Sequence, residues 1–304
     1  MTEYHGQIQL ALAGFYDVLT ADGEVFRTRA RGNFRKKDLK PLVGDWVTFS
    51  AETSKEGYIL AIDERTNSIV RPPVANVDQV IIVTAVKMPD WSSNLLDRQL
   101  VALEEKHIEP VIYFTKTDLL TAEEKHDFQT IAEGYRRIGY QVVLPEKAFD
   151  EESLTQVKLL LANKLTVLMG QTGAGKSTLL NHISPDLQLA TGEVSQALSR
   201  GRHTTRQVAL INLYGGFVAD TPGFSAFEVF DMSARELGQY FRDFNQFSDG
   251  CRFRGCVHLN EPGCAVKEAV AEGNIMTSRY ENYKLFYDLI AGRRPVYNKH
   301  DKKH

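Results

Sequence analysis

The pattern with the clearest chemical potential is G-x-x-x-x-G-K-[ST], which is met in full by Gly170, Gln171, Thr172, Gly173, Ala174, Gly175, Lys176, Ser177 and Thr178. The apolar run 165–169 predicts a buried strand before it, and residues 178–183 predict the start of a helix. Glycines let backbone N–H groups crowd around phosphates, and a helix N-terminus favours negative charge. Lys176 can reach the β- and γ-phosphates, and the Ser177 hydroxyl can ligate Mg²⁺. We predict a nucleoside triphosphate site, because the complete pattern and its flanks disfavour an ordinary glycine-rich turn.

A second polar group follows the apolar run 111–114 and consists of Thr115, Lys116, Thr117 and Asp118. Beside a phosphate loop it resembles the [NT]-K-x-D guanine-reading element of GTPases, with Thr where Asn is commoner. A carboxylate at Asp118 can accept hydrogen bonds from N1–H and the 2-amino group of guanine, and adenine has neither donor there. Lys116 can lie along the base plane. The alternative is a loop of no particular function.

A third group, Asp220-Thr221-Pro222-Gly223, follows the apolar run 217–219. It resembles the D-x-x-G element, in which Asp220 would hold Mg²⁺ through a water and the Gly223 N–H would meet the γ-phosphate. A type I or II turn with Pro at its second position is the alternative. The separation of about 45 residues from the phosphate loop favours the functional interpretation.

The order of the three groups is reversed relative to the usual GTPase layout, in which the phosphate loop comes first and the guanine-reading element last. Here residues 115–118 precede residues 170–178, which precede residues 220–223. We therefore predict a circularly permuted domain. Permutation leaves the packing intact when the original termini lie close in space.

The cysteines form a separate cluster. The chain has 3 cysteines, and all of them fall within residues 251–264. An odd, clustered set in a long chain indicates a metal site rather than disulfides. With one histidine they give a closed, four-ligand set for one structural zinc ion: Cys251, Cys256, His258 and Cys264. Buried free thiols with a surface histidine are the alternative.

Length and composition limit the class of protein. A chain of 304 residues predicts about two or three domains. The net charge of −3 means that any nucleic-acid contact must come from a local patch. No apolar run approaches the roughly 18 residues needed to span a bilayer, and the polar start lacks a signal sequence. We expect a cytoplasmic protein with no membrane partner.

Residues 6–71 are predicted to be all-β, with five short strands in a small barrel of the OB-fold type. Asp22-Gly23 is a strong hairpin signal. Basic residues are interleaved with Phe26 and Phe34 and predict either an RNA contact or a solvated loop: Arg27, Arg29, Arg31, Arg35, Lys36, Lys37 and Lys40.

Arg71-Pro72-Pro73 is predicted to be a stiff linker. An alternation of strands and helices then predicts a mostly parallel sheet covered by helices, with strands at 80–86, 111–114, 141–144, 165–169, 207–213 and 217–219, and helices at 94–105, 121–138 and 151–162. From residue 231 the pattern is helical, with candidate helices at 233–241, 266–272 and 279–291. Ser233 and Glu236 predict a capped start for the first of these.

With its three nucleotide motifs in the reversed order described above, the chain resembles the circularly permuted ribosome-assembly GTPases known as RsgA, YjeQ or YloQ. Further residues that carry the resemblance are the cysteine cluster, residues 71–78 (RPPVANVD) and residues 201–206 (GRHTTR). The resemblance implies a multidomain α/β protein: an N-terminal OB-fold β-barrel that binds RNA (1–71), a circularly permuted P-loop GTPase α/β domain (72–230) and a C-terminal helical zinc-binding domain (231–304).

The same resemblance implies hydrolysis of GTP to GDP and phosphate, with magnesium bound together with GTP. It also implies a role in late maturation of the small (30S) ribosomal subunit, binding to 16S rRNA and stimulation of the GTPase by the subunit. The implied partners are the small subunit, its rRNA and the nucleotides GTP and GDP, and we expect a monomer.

The catalytic group is less well defined. Phe224 stands where many GTPases have a glutamine that orients the attacking water, so catalysis must borrow a polar group or stay slow. His203 in the predicted first switch is the candidate that the resemblance implies, and a loop histidine of no catalytic role is the alternative. We assign Thr205 to Mg²⁺ and the γ-phosphate, with Thr204 as the second choice. Residues 145–147 match the base-backing loop poorly, so no contact is assigned there.

Two other functions fit parts of the sequence. One is a nucleotide-gated RNA-binding module in which hydrolysis only times release. The other is a P-loop kinase, which would need an acceptor site and an arginine-rich lid.

Overall fold

A computed structural model describes residues 2–30, 34, 40–187, 208–220 and 230–293. The chain forms two compact units. The first contains Met1–Trp91 and Lys106–Ala226, and the second contains Ser92–Glu105 and Phe227–His304. The chain therefore enters the second unit twice. None of the helices within the described ranges is long and apolar enough to cross a membrane.

The first unit begins with a closed five-stranded barrel, as predicted. Its strands are β1 (Thr2–Leu12), β2 (Phe15–Thr20), β3 (Val25–Ala30), β4 (Trp46–Thr53) and β5 (Glu56–Ile62). They pair in the order β1-β2-β3-β5-β4, and β4 pairs back with β1. Alternate side chains such as Ile8, Val18, Phe49 and Ile59 are fully buried inside the barrel. Gly23 has φ +85° in the β2–β3 hairpin, a conformation that glycine adopts without strain.

The segment after the barrel differs from the prediction. Residues 71–73 lie in the turn of a short hairpin between β6 (Ser68–Ile69) and β7 (Val74–Ala75), and they do not extend as a linker. Two asparagines hold this hairpin. Asn67 donates to the Val77 carbonyl at 2.9 Å and accepts from the Val77 amide at 2.9 Å, and Asn76 donates to the Gly44 carbonyl at 3.1 Å. These side-chain bonds give the chain a folded alternative to an extended stretch.

The parallel sheet of the first unit matches the predicted alternation. Its strands are β8 (Gln79–Ala85), β9 (Glu109–Thr115), β10 (Gln141–Val143), β11 (Leu165–Met169), β12 (Val208–Leu213) and β13 (Gly216–Asp220). They lie in the order β10-β9-β8-β11-β13-β12, and only β12 is antiparallel to its sheet neighbour. The order reverses direction between β8 and β11. Strand β1 of the barrel pairs with β12, so barrel and sheet share one hydrogen-bonded array.

Among the described residues, three helices accompany this sheet: α2 (Ala122–Ile138), α3 (Glu151–Leu161) and α4 (Lys176–Ile183). Thr121 caps α2 in a reciprocal arrangement with Glu124, and Asp150 caps α3. The core beneath them is formed by branched apolar side chains from strands and helices, including Val83, Val111, Val157, Leu179 and Ile183. Burial of this core fixes the carboxyl ends of the parallel strands.

The second unit contains α1 (Ser93–Glu105), α5 (Arg242–Asn245), α6 (Ala265–Ala271) and α7 (Thr277–Ala291). The predicted helix at 233–241 is wrong, because the chain there forms only turns and a 3-10 helix at Leu237–Tyr240. The side chains of Ser233 and Glu236 do pair at 2.7 Å. Gly238 disfavours a longer helix and lies against the His258 ring.

Helix α1 lies within the predicted domain 72–230 in sequence but belongs to the second unit. Its Val101 and Ala102 share an apolar core with Phe241, Phe244 and Phe286. This assignment has no counterpart in the local sequence pattern, which predicted the helix correctly but not its packing partner. The domain boundaries at 71/72 and 230/231 remain predictions.

A buried ion-pair network joins α1 to α5 and α7. The guanidinium of Arg279 is fully buried and donates to Asp97 at 2.6 Å and, with two nitrogens, to Asp243 at 2.8 and 2.7 Å. Asn282 donates to the second oxygen of Asp97 at 2.7 Å. The Arg279 guanidinium also lies 4.9 Å from the Phe241 ring centroid. One planar cation therefore orients two carboxylates from different helices.

We predict that Arg279→Ala lowers the stability of the second unit by about 3–5 kcal/mol, because it leaves two buried carboxylates without their counter-ion. The free energy of opening measured by amide hydrogen exchange in α7 tests this. Lys284→Ala, which removes a partly exposed pair with Glu281 at 2.8 Å, is the control and should cost less than about 1 kcal/mol. Equal effects of the two substitutions would contradict the prediction.

Candidate functional site

The predicted nucleotide residues meet at one edge of the parallel sheet. Strands β8, β9, β11 and β13 run parallel, with Ile82 opposite Met169, Ala85 opposite Thr115 and Val167 opposite Ala219. Their carboxyl ends therefore lie side by side. In open α/β sheets, ligands bind at this edge where the strand order reverses. The phosphate loop follows β11, directly at the reversal between β8 and β11.

The phosphate loop depends on backbone conformations that favour glycine. Gly170 has φ +151°, Gly173 φ +80° and Gly175 φ +101°. A Cβ on Gly170 would lie 2.1 Å from the Val83 carbonyl oxygen, so this glycine also permits close packing of the loop against β8. Gly175 caps α4, whose first turn contains Lys176, Ser177 and Thr178. The loop therefore ends in a helix N-terminus with the polarity that phosphate prefers.

Lys176 is folded over this loop. Its Nζ donates to the Gly170 carbonyl at 2.6 Å and to the Gln171 carbonyl at 2.9 Å. Burial lowers the pKa of this ammonium, because a desolvated cation is less stable. An anionic ligand would offset that desolvation.

A buried hydrogen bond joins the predicted guanine-reading element to the phosphate loop. The hydroxyl of Thr115, which is buried at the end of β9, donates to the carbonyl of Ala174 at 2.6 Å. Thr115 also lies in van der Waals range of a Cβ built on Gly175. The two motifs are thus in direct contact although Ala174 follows Thr115 by 59 residues.

The remaining residues of that element form a tight turn. Lys116 is left-handed with φ 61°, and Thr117–Leu119 form a 3-10 helix that carries the exposed carboxylate of Asp118. The Lys116 ammonium donates to the Met88 carbonyl. In the loop after β10, the backbone carbonyl of Glu146 accepts from the Lys125 ammonium at 3.5 Å. No base contact is assigned to residues 145–147.

The D-x-x-G and switch residues are only partly within the described residues. Asp220 ends β13, and its backbone pairs with Ala209. Gly223, His203, Thr204 and Thr205 lie outside the described residues. Strand β13 does bring the chain to the same sheet edge as the phosphate loop.

The three cysteines and His258 come together in the second unit. The four ligand atoms all lie within 4.8 Å of one another. His258 Nδ1 lies 3.6 Å from Cys251 Sγ and 3.4 Å from Cys264 Sγ, and those two sulfurs are 3.9 Å apart. Tetrahedral zinc, with bonds of about 2.3 Å to sulfur and about 2.0 Å to nitrogen, separates its ligands by about 3.5–3.8 Å. The donor set and its spacing suggest zinc.

Hydrogen bonds support the loop that carries these donors. Tyr280 donates to the His258 carbonyl at 2.7 Å, and Tyr283 donates to the Val257 carbonyl at 2.6 Å. The carboxylate of Glu261 accepts from the amides of Val257 at 2.9 Å and Leu259 at 3.0 Å. Outer partners of this kind fix the orientation of metal ligands.

Two of the thiols, those of Cys256 and Cys264, have a raised proton affinity. Burial, followed by the influence of neighbouring thiols, raises the pKa of Cys256 to about 12, and burial also raises the pKa of Cys264. A divalent metal must therefore displace protons when it binds.

Part of the predicted basic surface is described. Arg27 forms a two-nitrogen pair with Asp17 at 2.8 and 3.0 Å, and Arg29 lies 4.3 Å from the Phe15 ring centroid. Lys40 is exposed. The other basic residues of this stretch lie outside the described residues: Arg31, Arg35, Lys36 and Lys37.

Comparisons with known proteins decide the family. The model described as RsgA GTPase matches residues 62–230, and the RsgA N-terminal domain matches residues 5–59. The small ribosomal subunit biogenesis GTPase RsgA 1 of Lactiplantibacillus plantarum is 58% identical over 294 residues, which cover 97% of this chain and 98% of that protein. The chain belongs to the RsgA GTPase family. It is therefore a GTP hydrolase, and the P-loop kinase alternative is wrong.

Further similarities cover the whole fold. The small ribosomal subunit biogenesis GTPase RsgA of Pediococcus pentosaceus is 57% identical, covering 97% of this chain and 95% of that protein. The crystal structure of YloQ, a circularly permuted GTPase, superposes with a TM-score of 0.82 at 44% identity, covering 97% of this chain and 98% of that one. YjeQ from Thermotoga maritima superposes with a TM-score of 0.83 at 34% identity, covering 96% and 100%. The permuted RsgA fold is thus confirmed.

The structure brings together two sets of residues that the sequence patterns do not indicate. Lys87 and Met88 contact the turn at residues 116–119, and Arg279 pairs with Asp97 and Asp243 in the second unit. Neither set has a motif. A basic residue two positions after β8, at the sheet edge where the phosphate loop lies, is the signal that could have indicated Lys87.

We predict that Gly170→Ala disrupts nucleotide binding, because its Cβ would collide with the Val83 carbonyl in a backbone conformation that alanine avoids. The control is Gly139→Ala, which has φ +101° but no atom within 4 Å of the added Cβ. We expect about 1 kcal/mol of destabilisation in the control and at least 2–3 kcal/mol in Gly170→Ala. Urea unfolding and GDP titration test this, and equal stability of the two variants would contradict it.

Proposed function

We propose that this RsgA-family protein hydrolyses GTP to GDP and phosphate during late maturation of the small (30S) ribosomal subunit, that it binds 16S rRNA, and that the subunit stimulates hydrolysis. The hydrogen bond from Thr115 to Ala174 carries the nucleotide part of the proposal. The names of relatives at 57–58% identity, which are small ribosomal subunit biogenesis GTPases, support the ribosomal part. We further propose that it works in the cytoplasm as a monomer.

Guanine recognition is assigned to the turn after β9. The Asp118 carboxylate would accept from N1–H and the 2-amino group, Lys116 would lie along the base, and Thr115 and Thr117 would hold the turn. The triphosphate is assigned to the amides of residues 170–178 and to Lys176, which would exchange its two carbonyl partners for phosphate oxygens.

Magnesium with GTP is assigned to the Ser177 hydroxyl, with Thr205 as a second ligand and Asp220 acting through a water. Oxygen donors at a helix N-terminus beside the carboxyl end of β13 have the chemistry that Mg²⁺ prefers. When bound, the ion neutralises charge on the phosphates. The Gly223 amide would meet the γ-phosphate.

Water activation is assigned to His203, since Phe224 cannot orient a water molecule. Lys176 would stabilise charge on the transferred phosphate. If His203 contributes nothing, the protein acts instead as a nucleotide-gated RNA-binding module with hydrolysis as a release timer.

The test is GTP turnover with and without purified small subunits. We expect clear stimulation by the subunit and its loss in His203→Ala. Unchanged turnover on adding subunits would contradict the proposed function. Undiminished subunit binding together with normal maturation in His203→Ala would favour the release-timer alternative.

A second prediction concerns the base. In Asp118→Asn the amide can donate to the 2-oxo group of xanthine, whereas the carboxylate requires the 2-amino donor of guanine. We expect affinity for GDP to fall by about 10²-fold or more and affinity for xanthosine diphosphate to rise. Titration of both nucleotides tests this, and retention of guanine preference would contradict the assignment of Asp118.

One structural zinc ion is assigned to Cys251, Cys256, His258 and Cys264. We expect one zinc per purified chain by atomic emission, and loss of zinc with loosening of the second unit in His258→Gln, because metal binding and folding are coupled. His107→Gln, at an exposed histidine, is the matched control and should keep its zinc. A folded chain that lacks zinc would contradict the assignment.

A further inference from the structure

The loop after β8 lies against both sides of the guanine-reading turn. Met88 offers its carbonyl to the Lys116 ammonium, on the N-terminal side of Asp118. The Lys87 ammonium donates to the Leu119 carbonyl at 3.3 Å, on the C-terminal side. The adjacent residues Lys87 and Met88 therefore contact the turn on both sides of Asp118, at Leu119 and at Lys116.

Lys87 is itself held by the start of α2. Its Nζ lies 2.6 Å from Glu124 Oε2, and the same carboxylate oxygen accepts from the Thr121 amide at 2.8 Å. The hydrogen bond from Lys87, followed by that from the Thr121 backbone, lowers the pKa of Glu124, so the carboxylate is charged at neutral pH. The turn at 117–119 and the cap of α2 thus share one cation.

The turn needs such support because its backbone is not relaxed. Lys116 is left-handed, a conformation that residues other than glycine adopt only when their surroundings hold them there. Thr117–Leu119 form a single 3-10 turn, and Asp118 at its centre is exposed. An exposed carboxylate that must accept two hydrogen bonds from one base requires a fixed backbone.

We propose that Lys87 is a positioning residue for guanine selectivity, which it exerts by holding the backbone turn that carries Asp118. This inference rests on the proposed assignment of Asp118 to the base. Lys87 has no contact with the nucleotide in this account. It acts through Leu119 and Glu124, while the Met88 carbonyl restrains Lys116.

The experiment compares GDP with inosine diphosphate, which lacks the 2-amino group that Asp118 would read. The measured quantity is the dissociation constant for inosine diphosphate divided by that for GDP, and it is obtained by calorimetry on the full chain. We expect Lys87→Met to reduce the ratio about two- to fivefold, the range that a partly exposed ion pair and one hydrogen bond allow. A general loss of stability would weaken the binding of both nucleotides equally and leave the ratio unchanged.

Three variants frame this result. Lys87→Arg should restore the ratio, because a long cation can still reach both acceptors. Lys284→Met, which removes a partly exposed Lys–Glu pair in the second unit, should leave it unchanged. Glu124→Gln should give an intermediate ratio, because glutamine keeps the cap of α2 but loses the charge, and it serves as the test if Lys87→Met does not fold.

The outcomes separate the inference from the proposed function. If Asp118→Asn strongly lowers the ratio of dissociation constants and Lys87→Met leaves it unchanged, the positioning role is overturned and the guanine assignment stands. If Asp118→Asn also leaves the ratio unchanged, the guanine assignment itself fails.

Discussion

The hydrogen bond from the Thr115 hydroxyl to the Ala174 carbonyl, at 2.6 Å and fully buried, is the contact on which the nucleotide site depends. It joins the end of β9 to the middle of the phosphate loop. A buried hydroxyl or carbonyl without a hydrogen-bond partner costs free energy, so this bond ties the two motifs together. The turn after β9 and the phosphate loop are therefore directly connected.

The reversed order of the motifs is compatible with this contact because the sheet, and not the chain order, brings the motifs together. Parallel strands β8, β9, β11 and β13 present their carboxyl ends at one edge. Permutation changes which loops connect these strands and leaves the edge intact. The chain leaves the first unit at Trp91, forms α1 in the second unit, and returns at Lys106.

Sequence reasoning predicted the features that local rules encode. The phosphate loop follows from its glycine positions and the barrel strands from short apolar runs between turn residues, and the structure agrees with both. The helix predicted at 233–241 does not form. Gly238 and its packing against His258 override the capping signal of Ser233 and Glu236. Local sequence patterns do not indicate tertiary contacts. The residues around Asp97, for example, do not predict its pairing with Arg279, which lies 182 residues later. The contacts of Lys87 were not predicted for the same reason, since they involve the turn that follows a different strand.

The most direct measurement of the central claim is a crystal structure of the protein grown with GDP and Mg²⁺. Our account predicts that one nucleotide places its guanine N1 and 2-amino group within hydrogen-bonding distance of Asp118. The same molecule would place its β-phosphate on the amides of the phosphate loop, with Thr115 still bonded to Ala174. A nucleotide whose phosphates occupy the loop while its base lies beyond the reach of Asp118 would contradict it.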